Sequence, residues 1–98
     1  VSMGTTSART AAMVLDNAQK VIGIELASAA QGIWLREEIG ESKVENLAPA
    51  TKAAYDYIRT LSDPIDQDII MHDELVKFDE MIKDNSLLEA VEKVVTLK

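Results

Sequence analysis

The stretch VIGIELASAAQGIWLR, Val21 to Arg36, decides the fold. Apolar residues recur at threes and fours through it, the spacing of an α-helix. Yet its first fifteen residues hold only three plainly polar side chains, Glu25, Ser28 and Gln31. A helix that is apolar on nearly every side is buried inside something. The stretch is too short for a membrane span, which needs roughly 17–25 residues, and Glu25 interrupts it. Burial among other helices is the remaining solution.

Working outward, the same periodicity extends upstream. Leu15, Ala18, Ile22, Leu26, Ala29 and Ile33 form one stripe, and Ala27, Ala30 and Trp34 belong to a second beside it. The spacing predicts one helix over about 7–36, with Thr5, Thr6 or Ser7 as N-cap. Gly23 and Gly32 each cost about 1 kcal/mol relative to alanine, so each marks either close helix approach or a kink. Downstream, EEIGESKVEN (37–46) is polar and holds a glycine, which reads as a loop. A second helix is expected over about 49–61, opened by Pro49, with Ala50, Ala54, Tyr57, Ile58 and Leu61 inward. SDPIDQD breaks it ahead of Pro64. A third runs over about 72–83 with Leu75, Phe78 and Ile82 inward. Ser86 and Glu89 fit a capping box for a short fourth helix through Leu88, Val91 and Val95. The expected architecture is all-α and a single segment over 1–98: a long bundle helix (1–36), a loop (37–46) and a helical subdomain (47–98).

Lengths sharpen this. A helix of thirty residues is about 45 Å long, whereas a compact domain of this size is roughly 33 Å across. The long helix therefore overhangs its own domain and expects partners beyond the short helices that follow it.

Composition excludes several function classes. Seventeen acids against ten bases give a net charge of −7, and the cations are scattered singly. Nucleic acid and anionic membranes are therefore not expected partners. With no cysteine, disulfides and thiolate chemistry are excluded. VSMGTTSART has no apolar core of a signal peptide. These features lead to the expectation of a cytoplasmic chain.

Single residues offer little catalytic chemistry. Glu25, Ser28 and Gln31 share one helix face and are expected to be a structural polar stripe, buried and hydrogen-bonded to neighbouring helices of an assembly. His72, the one histidine, is placed at the start of the third helix rather than in catalysis. No serine or acid motif stands near it. Asp63, Asp66 and Asp68 lack the spacing and glycine turn of a calcium loop and read as a solvated acidic turn. No metal ligands are assigned. Tyr57 is expected in the core, and Trp34 as a packing anchor.

Val1-Ser2-Met3-Gly4, Asn17, Ile24-Glu25-Leu26, Ala29-Ala30-Gln31 and Leu35-Arg36 together resemble the C-terminal part of the aromatic amino acid ammonia-lyases, the histidine ammonia-lyase family. AYDYIR (54–59) resembles the family's aromatic-bearing helix. Further on the chain departs from the pattern: Gln67 replaces an arginine, and Met71-His72-Asp73 replaces Ala-Pro-Asp.

The resemblance implies a helical homotetramer with a central bundle and active sites shared between subunits. It implies elimination of ammonia from an amino acid, most specifically L-histidine, with tyrosine or phenylalanine as alternatives. It also implies that the chain was cut from a longer one, and that Val1, Ser2 and Met3 lie near the active site by position. The family's electrophile, a methylidene-imidazolone, forms from Ala-Ser-Gly. Ala27-Ser28-Ala29 is the nearest triplet here and lacks the glycine. No catalytic residue and no cofactor are therefore assigned to this chain. In histidine lyases the substrate-site glutamate lies in a run-in just ahead of Val-Ser-Met, which puts it upstream of Val1. An autonomous helical interaction module, covering its own first helix and folding as a monomer, is the alternative from a different class.

Overall fold

The computed structural model describes residues 3–97, and every regular element among them is helical. The helices are α1 (Met3–Glu38), α2 (Pro49–Leu61), α3 (Met71–Lys83) and α4 (Ser86–Glu92), with a 3-10 turn at Val44–Asn46 between the first two. Helix α1 starts earlier than its spacing predicts, so Thr5, Thr6 and Ser7 lie inside it rather than at its cap. No proline interrupts the first turns, and propagation costs less than a new start. The helix passes through Gly23 and Gly32 without a break in its assignment.

Its far end is set by Gly40. That residue takes φ +80°, the left-handed conformation glycine adopts freely. The turn returns the Gly40 N–H to the Glu37 carbonyl at 3.1 Å and the Glu41 N–H to the Arg36 carbonyl at 2.9 Å. Two carbonyls that the helix leaves orphaned are thereby satisfied. The Val44 N–H then donates to the Glu37 carboxylate at 2.6 Å, which folds the loop back against the helix end.

Helix α3 packs along α1, α4 packs against α2, and α3 meets α4. Gly23 explains where α3 lies. A Cβ there would stand 3.5 Å from the Phe78 Cβ and 3.7 Å from the Asp79 backbone nitrogen, so α3 approaches the α1 backbone itself. Gly32 has no such neighbour. The core is small: Ala30 from α1, Tyr55 and Ile58 from α2, and Phe78 and Met81 from α3, with Leu26, Ala27, Ile33, Val44, Leu47, Tyr57 and Leu87 packed around it. Met81 is the most enclosed, and its burial contributes about 1.5–3 kcal/mol.

Three expectations are corrected. Tyr55 takes the buried place expected of Tyr57, which is half-buried, while Leu61 is exposed. Helix α2 meets α4 on one side and the α1 core on another, so its buried face is rotated from a single stripe. Met81 is buried while Leu75 and Ile82 are half-buried, because Phe78 and Met81 point at the junction of α1 and α2. The Ser86–Glu89 capping box does not form. Asn85 enters the left-handed region at φ 61°, and the Ser86 N–H donates to the Asp84 carboxylate at 2.8 Å instead. A tight turn between α3 and α4 leaves Ser86 already helical.

The overhang is present. The molecule measures 61 × 37 × 20 Å with a radius of gyration of 16.4 Å, against about 13 Å for a compact chain of this length. Residues 3–15, just over the first third of α1, are all exposed.

Candidate functional site

Two surfaces of α1 stand out, one tied down and one bare. The tied side centres on Arg59 of α2. Its guanidinium donates to the Ala30 carbonyl at 3.0 Å, to the Ser62 carbonyl at 3.1 Å and to the Tyr55 hydroxyl at 3.2 Å. It also lies 4.9 Å from the Tyr55 ring centroid, a cation–π distance. The buried Ser62 hydroxyl donates onward to Glu74 of α3 at 2.8 Å. Lys77, together with this bond, holds the Glu74 carboxyl below the usual carboxylate range. One hydrogen-bonded line thus joins three helices. Beside it, Gln31 makes a two-point amide pairing with the backbone of Ile65, at 2.6 and 3.0 Å, fastening the α2–α3 connection to α1. Sequence reasoning does not single out Arg59. The one available signal is its position four residues after Tyr55, the spacing that brings two side chains together on a helix.

The expected polar stripe divides. Gln31 is half-buried in the contact just described, while Glu25 and Ser28 are exposed on the chain itself. Burial of those two was expected only inside an assembly. Val1 and Ser2 lie outside the described residues, and Met3 sits at the exposed tip of α1. Trp34 is half-buried.

His72 is exposed in the first turn of α3 and lines a groove of about 320 Å³ with Lys20, Ile24, Leu75, Val76 and Asp79. No serine, threonine, cysteine or tyrosine lines that groove. Asp63, Asp66 and Asp68 lie on the α2–α3 connection, Asp63, Asp66 and Asp68 all being exposed, and the described residues contain no acid or histidine group able to hold a metal ion. No described helix is long and apolar enough to cross a membrane.

The bare side is apolar. Met13, Val14, Leu15, Val21, Ile22, Ile24 and Leu35 are each 46–67% exposed along α1. Apolar side chains left this exposed along one helix offer surface for packing against a partner. What the arrangement offers is a long helix presented for packing on a braced helical base.

Comparison with known proteins bears on what that helix belongs to. Over its whole length the chain is 46% identical to a histidine ammonia-lyase of Clostridium tetani, 19% of which it covers. It is 37% identical to "Histidine ammonia-lyase 1" of Fusobacterium nucleatum, over 97% of the chain and 17% of the relative. A histidine ammonia-lyase of Streptococcus sanguinis is 41% identical over 99% of the chain and 18% of its own length. The chain thus spans less than a fifth of the length of these relatives. No solved structure matches it significantly. The aromatic amino acid lyase family matches residues 1–60. The chain belongs to the aromatic amino acid lyase family.

Proposed function

We propose that this chain serves as the C-terminal helical part of a histidine ammonia-lyase, whose complete form eliminates ammonia from L-histidine to give urocanate in cytoplasmic histidine breakdown. The observation that carries the reading is the 46% identity, over the entire chain, to a protein bearing that activity's name. The role inferred for the segment is oligomerisation: its bare α1 face packs with the rest of the enzyme and with other copies in a homotetramer. The apolar residues uncovered along α1 support this, because their exposure is unfavourable by roughly 25 cal/mol for each Å² left in water.

The family's methylidene-imidazolone does not fit the residues present. Ala27-Ser28-Ala29 lies in the middle of α1, where the backbone cannot make the tight turn that ring closure needs. Ala29 also puts a side chain where the reacting glycine must stand. The segment's part in the reaction is to support a site completed elsewhere.

The test has two arms. Full-length enzyme carrying this segment is expected to turn over L-histidine faster than L-tyrosine or L-phenylalanine, followed as urocanate, coumarate or cinnamate absorbance. Faster turnover of tyrosine or phenylalanine would replace the substrate and leave the family intact. For the segment alone, light scattering is expected to show a dimer or larger species. Ala29→Lys should weaken the association by placing an unpaired charge in the contact. Ala29 is the right probe because it is exposed on the chain itself, whereas the neighbouring Ala30 is only 3% exposed in the chain's own core. A persistent monomer at high concentration would support the autonomous-module reading and overturn the oligomerisation role.

A further inference from the structure

Helix α1 leaves its support at a defined place. Residues 3–15 are exposed throughout, Asp16 and Gln19 are half-covered, and Gly23 is buried. Lys83, the last residue of α3, stands at that boundary. Its ammonium lies 3.1 Å from the Asp16 carboxylate of α1 and 3.0 Å from the Asp79 carboxylate of its own helix. Asp16 pairs in turn with Lys20 at 3.0 Å. Four charges of alternating sign therefore run Lys20, Asp16, Lys83, Asp79 across the two helices.

The chemistry around Asp79 makes this more than an incidental surface pair. Its other carboxylate oxygen, Oδ1, is buried without a hydrogen-bond partner, and its backbone nitrogen lies close to Gly23. Lys83 is the one cation paired with Asp79 among the described residues. Removing that cation would leave a poorly solvated negative charge against the closest approach of α1, with Asp16 adding a second carboxylate nearby. Like charges there push the helices apart.

We propose that this chain of charges is an electrostatic latch that fixes where α1 leaves the helical body. Opening it lengthens the free arm from Asp16 toward Gly23 while α2 and α4 stay in place. The arm's reach, and so the surface it presents to a partner, is set by Lys83. The inference rests on the α1–α3 geometry and is independent of the lyase reading.

Hydrogen exchange, read by mass spectrometry on the 98-residue chain at a single concentration, tests it. Lys83→Met is expected to speed exchange across 14–23 roughly two- to tenfold while 49–61 and 86–92 are unchanged. Lys83→Arg should keep the slow rate. Asp16→Asn, which leaves the Asp79–Lys83 pair intact, should give a smaller acceleration in the same segment. Raising salt to where charges are screened over about 3 Å should speed the wild type there and, by screening the repulsion between Asp16 and Asp79, bring Lys83→Met closer to it. Unchanged exchange at 14–23 in Lys83→Met would overturn the latch. So would equal acceleration in every helix, which would mean Lys83 supports the whole fold and sets no boundary.

Discussion

Arg59 concentrates more of the fold than any other polar side chain described. Its three donors reach a helix carbonyl, a C-cap carbonyl and a phenol, and its flat face lies over the same tyrosine. Arg59→Met is expected to lower unfolding stability by about 1–3 kcal/mol in urea melts, since the bonds are charge-assisted and partly buried. Arg59→Lys should recover only part of the loss, because an ammonium cannot span three acceptors held in a planar fork. Gly23 gives the opposite sign. Its added Cβ would meet Phe78 at an ordinary contact distance. Gly23→Ala is therefore expected to be neutral or to gain up to about 1 kcal/mol from helix propensity. Gly23→Leu should cost roughly 1–3 kcal/mol by forcing α3 away. Comparative thermal melts of the two variants check both signs. At this scale the sequence was legible where one residue type has one use: Gly40 ends a helix and Pro49 opens another. It was illegible where a side chain's role depends on a distant partner. Tyr55 and Tyr57 are two residues apart, and only the position of α1 decides which is buried.

Helices were the easiest objects to read, because period and breakers are local properties. The second helix falls at Pro49–Leu61 as its proline and its Ser-Asp-Pro stop require. The first starts several residues early and the fourth ends sooner than Val95. Helix ends depend on caps and packing that spacing does not encode. The α2–α3 junction carries a pH dependence with a definite sign. Lys77 and Ser62 favour the ionised form of Glu74, which lowers its folded pKa below the ordinary value of 4.5. Asp16 is likewise lowered from 3.8 by Lys20 and Lys83. The unfolded chain thus takes up protons first as pH falls. The stabilisation is complete above those ordinary values and is lost as pH drops through the lower folded ones. Circular dichroism between pH 6 and about 2.5 should show unfolding at the acid end. Glu74→Gln should flatten that profile, and an unaltered profile in the variant would remove Glu74 from the account.

Taken whole, the molecule is a small braced base with a rod standing out of it. The purified 98-residue chain is expected to give no turnover of histidine, tyrosine or phenylalanine. General acid and base groups alone do not activate an amine to leave. New ultraviolet absorbance from the unsaturated acid would overturn this. The all-helical class and the overhang were both readable in advance, from periodicity and from the mismatch between rod length and domain diameter. The contacts around Arg59 and Gln31 were not, since their partners lie 29 and 34 residues away along the chain. The protruding part of α1 also has a mechanical consequence. From Asp16 to Met3 the rod extends roughly 20 Å at 1.5 Å per residue. It is therefore a lever whose tip magnifies any tilt at its base, and a rotation of about 5° carries the tip nearly 2 Å on that length. Catalytic groups tolerate misplacement of only about 0.5 Å. A tip used beside a reaction centre must be gripped at its far end by another body, however stiff the joint at its foot.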